Sequence, residues 1–388
     1  MRQKSIFISF CFFLFSGSLM AQQEQINRLP VWAMGGFERP SGINPVIVSD
    51  STTSFFDPMH QKMIHWEAND TFNPAAIVKK GKIVVLYRAE DKSGVGIGKR
   101  TSRIGYAESN DGLHFKRRTT PVLFPADDNA KKWEWPGGCE DPRVAVTVNG
   151  RYVMLYTEWN RKVPRLGVAT STDLIHWKKY GPAFLNAYKG KYANMATKSA
   201  AILTKIKDGK QIICQINNTY WMYWGEQHVY AATSTNLTDW TPLQNSDGSL
   251  KILASPRPGH FDSQLTECGP PAILTKKGIL LLYNGKNAPG KQGDPRFGGG
   301  AYSAGQMLFS AKNPTQLINR LNVPFFRPME PFEKTGQYVD GTVFVEGMAY
   351  FKQQWFIYYG CADSRVGVAV YNPGISAPAD PVPEKQDY

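Results

Sequence analysis

The sequence predicts an all-β fold, a five-bladed β-propeller. Two observations carry that reading. A unit of short apolar strands separated by turns recurs five times along the chain, the mark of an architecture in which each unit forms one blade. Each unit also opens on a polar residue: Asn73, Asp141, Lys198, Glu267 and Asp340. First strands line the channel of a propeller, so these five side chains are expected to converge at its mouth.

Taken in order, residues 1–21 read as an export signal. Arg2 and Lys4 are basic, Ile6 to Phe15 is apolar, and Ala21 is a small residue before Gln22. The apolar run is too short to span a bilayer, and no later stretch is long and apolar enough to do so. Cys11 follows Phe10, where a lipid-anchor signal would carry a small residue. Cleavage after Ala21 is expected, with export to the periplasm or the cell surface. Residues 22–70, rich in Pro, Gly and aromatics, read as an extension packed on the propeller. The propeller itself is placed at 71–375 and a tail at 376–388.

The first unit begins at Phe72-Asn73-Pro74, turns at Lys80-Gly81 and continues in Ile83 to Arg88, Arg103 to Ala107 and Asp111 to Phe115. The second starts at Asp141-Pro142-Arg143, turns at Asn149-Gly150 and ends at His176-Trp177. In the third, Lys198 to Ile202 is followed by Ile212 to Gln215, Val229 to Ala231 and Asn236 to Trp240. The fourth opens at Glu267-Cys268-Gly269-Pro270-Pro271 and continues through Leu280 to Asn284. The fifth runs from Asp340 through Trp355 to Tyr359 and on to Ala369. The five opening residues lie 68, 57, 69 and 73 positions apart, so the loops are long, and long loops in compact folds often carry function. Trp177 and Trp240 sit at outer turns and read as packing.

The hydrophobic fraction of 42% and charged fraction of 20% describe a globular chain with a core. The formal net charge is +13. No run of five or six basic residues occurs, so nucleic acid is not an expected partner, while an anionic surface or polymer stays open. After cleavage four cysteines remain, Cys139, Cys214, Cys268 and Cys361. Their spacing fits no zinc pattern and each lies in or beside an apolar strand, so they read as buried thiols. The six histidines show no metal-ligand spacing. No metal or cofactor is expected.

The most informative stretch is Gly137-Gly138-Cys139-Glu140-Asp141-Pro142-Arg143. It sets two carboxylates and an arginine between a glycine turn and a strand. An acid fixed at a rigid strand entry is a group that can be aimed at a substrate oxygen. A loop salt bridge is the plainer reading; the recurrence of polar residues at the same place in each unit favours a site.

At these residues the chain resembles glycoside hydrolase family 130, the β-mannoside phosphorylases and β-mannosidases. The resemblance covers about residues 66–371. It rests on Glu140-Asp141-Pro142-Arg143, Gly269-Pro270-Pro271, Tyr87-Arg88-Ala89-Glu90-Asp91 and Tyr359-Gly360-Cys361-Ala362-Asp363. It implies a five-bladed propeller with Asp141 as proton donor, the proton passing through the sugar's 3-hydroxyl. It also implies Arg88, Asp91, Arg143, Asp340 and Asp363 as sugar-binding residues, arginine offering a planar fork of donors and carboxylates accepting from vicinal hydroxyls. Lys198 and Asn284 complete the binding set. Salt bridges between blades are the alternative for Arg88 and Asp363.

Departures from the family pattern bear on the reaction. Phosphorylases of the family carry Tyr-His-Gly in the fourth blade, where this chain has Tyr283-Asn284-Gly285. They also carry His-Arg at the end of the second strand of blade three, which reads here as Cys214-Gln215-Ile216-Asn217. Phosphate needs concentrated positive donors, which Asn, Gln and Ile do not supply. Glu226 and Glu267 stand on that side instead, as in the hydrolytic branch, where such glutamates activate water. The expected function is an exo-acting, inverting β-mannosidase acting on terminal β-1,2-linked mannose, with Asp141, Glu226 and Glu267 catalytic and a β-mannoside oligosaccharide as substrate. A phosphorylase releasing mannose 1-phosphate and a non-catalytic sugar-binding propeller are the alternatives. Either glutamate could instead be an ordinary partner of Lys198 or Arg143.

Overall fold

Strands that are apolar on both faces must be covered on both faces. Ile83 to Tyr87 is such a run, with every side chain buried, and Val153 to Tyr156, Ile279 to Tyr283 and Phe356 to Tyr359 repeat it. The chain meets this demand by stacking antiparallel sheets against each other. A computed structural model describes residues 29–373. The expected export signal and the expected tail lie outside these residues.

Five consecutive antiparallel meanders follow one another. The first is built on Asp70–Lys79, Lys82–Glu90 and Ser102–Ser109, and the second on Gly138–Val146, Tyr152–Trp159 and Pro164–Ser171. The third starts at Ala200–Lys207, the fourth at Leu265–Cys268 and the fifth at Val343–Phe351. Helix is confined, among the described residues, to Lys131–Glu134 and three short 3-10 turns. The fold is thus nearly all-β and propeller-like.

Packing closes on itself. One apolar cluster joins the first meander to the second, with Leu86 and Ile104 against Val144 and Met154. Others join second to third, third to fourth and fourth to fifth. In the last, Ile83 and Val85 of the first meander pack with Phe356 and Val368 of the fifth. The N-terminal segment is stitched to the final strand. Glu38 and Val370 exchange backbone hydrogen bonds of 2.9 and 2.8 Å. The Asn44 amide repeats that pattern on Val368, at 2.9 and 2.8 Å.

Two boundaries differ from the expectation. The second strand of the third meander does not end at Asn217. Lys210–Ile213 pairs with the first strand, a small hairpin over Gln215–Ile216 and Thr219–Tyr220 interrupts it, and Thr219–Trp224 resumes the pairing. The strand therefore delivers Trp224-Gly225-Glu226 to the mouth and leaves Gln215 exposed at a distance. The fifth meander starts at Val343 rather than at Asp340, which lies in the preceding turn.

The four cysteines among the described residues, Cys139, Cys214, Cys268 and Cys361, are buried and unpaired. Trp240 is buried and Trp177 partly so, each donating its indole N–H to a backbone carbonyl in its own turn; both are packing residues. No helix of the described residues is long and apolar enough to cross a membrane.

Candidate active site

The first strand of the second meander carries a bulge. Its register against the neighbouring strand shifts between Glu140 and Arg143, and Asp141 sits in the left-handed region at φ 48. A bulge re-aims one side chain out of the ladder, here Asp141. Pro142 follows, where no N–H is left to satisfy. Gly138 makes the entry possible: at φ 110, a Cβ there would lie 2.1 Å from the Ser102 carbonyl oxygen. Asn73-Pro74 repeats the device in the first meander, with a register shift and φ 46. The Asn73 amide donates to Asp141 Oδ1 at 2.9 Å.

Asp141 faces a cavity of ≈ 240 Å³. On its side Arg88 is a four-way hub. Its Nη1 lies 3.0 Å from Asp141, its Nη2 lies 2.7 Å from Glu90 and 2.9 Å from Glu140, and its Nε donates to Ser102 Oγ at 3.0 Å. On the same lining, Lys198 Nζ stands 3.2 Å from Glu267 and 3.4 Å from Glu226. Ser199 donates a further hydrogen bond to Glu267. Glu267 is buried, whereas the Glu226 side chain is 49% exposed. Tyr302, Tyr338 and Phe344 form an aromatic wall, with Tyr302 in edge-on contact with each of the other two at 5.7 Å. Trp159, whose indole N–H bonds the Gly98 carbonyl at 3.0 Å, and Ile97 stand elsewhere on the lining.

Electrostatics separate the acids. Burial works against a charge on Asp141, but Arg88, Lys198 and the Asn73 hydrogen bond outweigh it and hold the carboxyl at about 2. Its neighbour Glu140 is pushed up to about 7 by burial against the pull of Arg88, with Asp141 and Glu90 adding to the rise. Asp363 is likewise pushed to about 7 by burial, opposed by Arg88. Burial also raises Glu267, against the opposing pull of Lys198. Burial disfavours the Lys198 charge, but Glu267, Glu226 and Asp141 together raise its pKa well above the usual value. In the free protein the cavity therefore holds an ionised Asp141 beside two carboxyls that exchange protons near neutrality.

A stability prediction follows from Asp363. An acid raised from 3.8 to about 7 on folding binds more protons folded than unfolded between those values, so its term lowers stability as pH rises across that window. Asp363→Asn removes the term. The melting temperature of the variant, measured from pH 4 to 7, is expected to decline less than that of the parent. Parallel curves would count against the raised carboxyl.

Six of the expected site residues line the one cavity: Asp141, Glu226, Glu267, Arg88, Lys198 and Asp363. Four do not. Asp91 is buried in its own loop, ion-paired to Arg103 at 2.8 Å and accepting the Ser93 N–H at 2.9 Å. Arg143 lies beneath the cavity and spends its donors on Glu346 and on the carbonyls of Asp141, Cys268 and Gly269. Asn284 uses both ends of its amide on the Val345 backbone, at 2.8 and 3.1 Å. Asp340 is exposed outside the cavity, and Thr342 and Phe344 stand for the fifth meander instead. Asn73, expected at the mouth as a unit opener, and Glu140, the second carboxylate of the Gly137-to-Arg143 stretch, carried a sequence signal and also line the cavity. Tyr302, Tyr338 and Trp159 carried none, because only the folded loops bring them together.

A polar cavity with five lining carboxylates, two cations and an aromatic wall, set on stacked antiparallel sheets, defines a carbohydrate-active enzyme on a propeller-like scaffold. The family's sequence pattern, described as β-1,4-mannooligosaccharide phosphorylase, matches residues 45–373. The chain belongs to glycoside hydrolase family 130. It is 30% identical over 312 residues to a 1,2-β-oligomannan phosphorylase of Thermoanaerobacter sp. strain X514, covering 79% of this chain and 90% of that one. A solved structure described under glycoside hydrolases of the family that target β-1,2 mannosidic linkages in Candida mannan is 64% identical, with a TM-score of 0.91 over 92% of this chain and 99% of that one. A glycosyl hydrolase from Bacteroides ovatus is 63% identical, with a TM-score of 0.91 and the same coverage of both chains.

Proposed function

We propose that this chain is an exo-acting, inverting β-mannosidase that hydrolyses terminal β-1,2-linked mannose from manno-oligosaccharides. The charge of the cavity carries the reading. Its two lining cations are already engaged, Arg88 by Glu90, Glu140 and Asp141, and Lys198 by Glu226 and Glu267. A phosphate dianion needs free positive donors, and the lining carboxylates outnumber the cations five to two. The resumed strand of the third meander reinforces the point, since Glu226 rather than a cation stands at its end. The description of the 64% identical structure supports hydrolysis as well.

In this reading Asp141 is the acid. It is ionised in the free protein, so it takes up a proton from solvent as the sugar binds, because the sugar's entry displaces water and raises the carboxyl's pKa. The sugar's 3-hydroxyl passes that proton to the leaving oxygen as the bond to C1 breaks. Water attacks C1 from the opposite face and gives up its proton to Glu267, which Lys198 and Ser199 hold in place. Glu226, more exposed, orients the water. The two-carboxylate arrangement fits inversion, and the relay loosens the usual spacing of roughly 6.5–9.5 Å. The five meanders are read as five blades, a view supported by the closed order of their packing. Export through residues 1–21 is part of the proposal; a secreted product beginning at Gln22 is expected on N-terminal sequencing, and an intact Met1 would refute it.

Free mannose is expected from β-1,2-mannobiose in phosphate-free buffer, appearing first as the α anomer by NMR. Glu267→Gln is expected to lower that rate by about 10²–10⁴, and Glu226→Gln by less. The phosphorylase reading is favoured by the 30% identical relative. Mannose 1-phosphate formed only when phosphate is present would establish it and overturn hydrolysis.

A further inference from the structure

Glu140 and Asp141 open a strand whose far end, Val144 to Val146, lines a different cavity. Five residues of extended chain put the two about 17 Å apart at about 3.3 Å each. The far cavity, ≈ 470 Å³, lies among the turns that join first and second strands of three meanders, at Lys79–Gly81, 146–150 and 209–212. A groove of ≈ 350 Å³ adjoins it, sharing Thr147, Val148 and Ile212 as a common wall.

Six cationic side chains line the pair: Lys79, Lys80, Arg151, Lys205, Lys207 and Lys210. No carboxylate lines either one. Lys79 and Arg151 are anchored to the backbone carbonyls of Asp173 and Asn236. Lys80, Lys205, Lys207 and Lys210 are exposed and make no ion pair among the described residues. Six cations with no carboxylate on the lining, offset nearby by the single exposed Asp208 in the turn between Lys207 and Lys210, leave a positive potential that an anionic ligand relieves. The floor between them is apolar, formed by Ile77, Val144 and Ala349, with Tyr152 and Tyr350 at the edge.

We propose that this end of the molecule binds an acidic polysaccharide, a sugar chain bearing phosphate, sulfate or carboxylate groups. Two concave sites joined by one wall suit a chain running from one to the other, and a flat bilayer surface would leave both unfilled. Lysine supplies mobile point charges for anions spaced along a polymer. The apolar floor and tyrosine edges take the C–H faces of sugar rings. Bound there, a polymer would present its free ends to the catalytic mouth at raised local concentration; that consequence rests on the mannosidase reading, whereas the binding does not.

The test is titration of the full chain with dextran sulfate and with neutral dextran. Dextran sulfate is expected to bind with an affinity that falls steeply with salt, and neutral dextran is not. The triple variant Lys80→Ser, Lys207→Ser, Lys210→Ser is expected to weaken binding about tenfold or more. A control triple at exposed lysines outside both cavities, Lys62→Ser, Lys99→Ser, Lys291→Ser, is expected to leave it unchanged. The melting temperature reports that each variant is folded. Equal losses in the two triples, no binding of dextran sulfate, or capture of phosphatidylglycerol vesicles without dextran sulfate would each overturn the proposal. These readouts do not depend on turnover, so failure of the mannosidase assay leaves them intact.

Discussion

Asp141→Asn is expected to lower turnover of β-1,2-mannobiose by about 10²–10⁴ while leaving the affinity for the sugar within a few-fold. The amide keeps the shape of the side chain and can still face the Asn73 amide and the Arg88 fork, but it has no proton to give. Leaving-group dependence separates this from misfolding. An aryl β-mannoside departs without protonation, so the variant's deficit on it is expected to be much smaller than on mannobiose. A sugar-binding protein without chemistry would show no turnover in the parent either. Equal deficits on both substrates would remove Asp141 from the role of acid. Arg88 enters the same argument from the other side, because it is a main reason the carboxyl stays ionised in the free protein.

Arg143→Met is expected to cost about 3–5 kcal/mol of stability, the range for breaking a buried ion pair from one side. Arg143 is 2% exposed and ties three meanders together. Its Nη1 lies 2.9 Å from Glu346 of the fifth. It also donates to the Cys268 and Gly269 carbonyls of the fourth, at 2.9 and 3.2 Å, and to the carbonyl of Asp141 itself at 3.0 Å. Methionine fills part of the space but leaves Glu346 buried without a partner, in a place where burial already pushes its carboxyl well above the usual range despite Arg143. Adding Glu346→Gln replaces the orphaned carboxyl with an amide that needs neither a charge partner nor a proton, and the double variant is expected to regain part of the loss. Denaturant titration at pH 7 measures both. A single variant within 1 kcal/mol of the parent would show that the carbonyl contacts and the ion pair are not holding the meanders in register.

Much of the legible part of the site stands at positions the repeat makes comparable, at or just before the first strand of a unit. Asp141, Glu267 and Lys198 were found because each opens a unit, and all three reach the cavity. Arg143 was legible as an arginine beside the acid but not as one turned under the floor, since its direction follows from the bulge at Asp141. Asn284 looked like a candidate because of its place in the fourth unit. Its amide is instead held by the Val345 backbone of the next unit, a partner 61 residues away. Asp340 fell out because the fifth meander starts three residues later than the pattern implied. The misplaced end of the strand in the third meander came from an inserted hairpin: Asn217-Asn218, both in the left-handed region, read as the end of the strand, whereas the chain turns back there and Thr219–Trp224 resumes the pairing.

What the chain's own order of residues determined is local and periodic: apolar runs that must be covered on both faces, glycine and proline where the backbone bends sharply, and carboxylates recurring at unit entries. These need only neighbours in sequence, because they arise from backbone sterics and from the preference of apolar surface for burial. The folded arrangement alone decided which charges meet. Arg88 and Lys198 lie 110 positions apart yet both act on Asp141, and Tyr302 reaches the same cavity from farther still. Electrostatic and packing energies depend on distance through space, so the ionisation of each acid, and with it the division of labour in the cavity, exists only once the meanders are stacked.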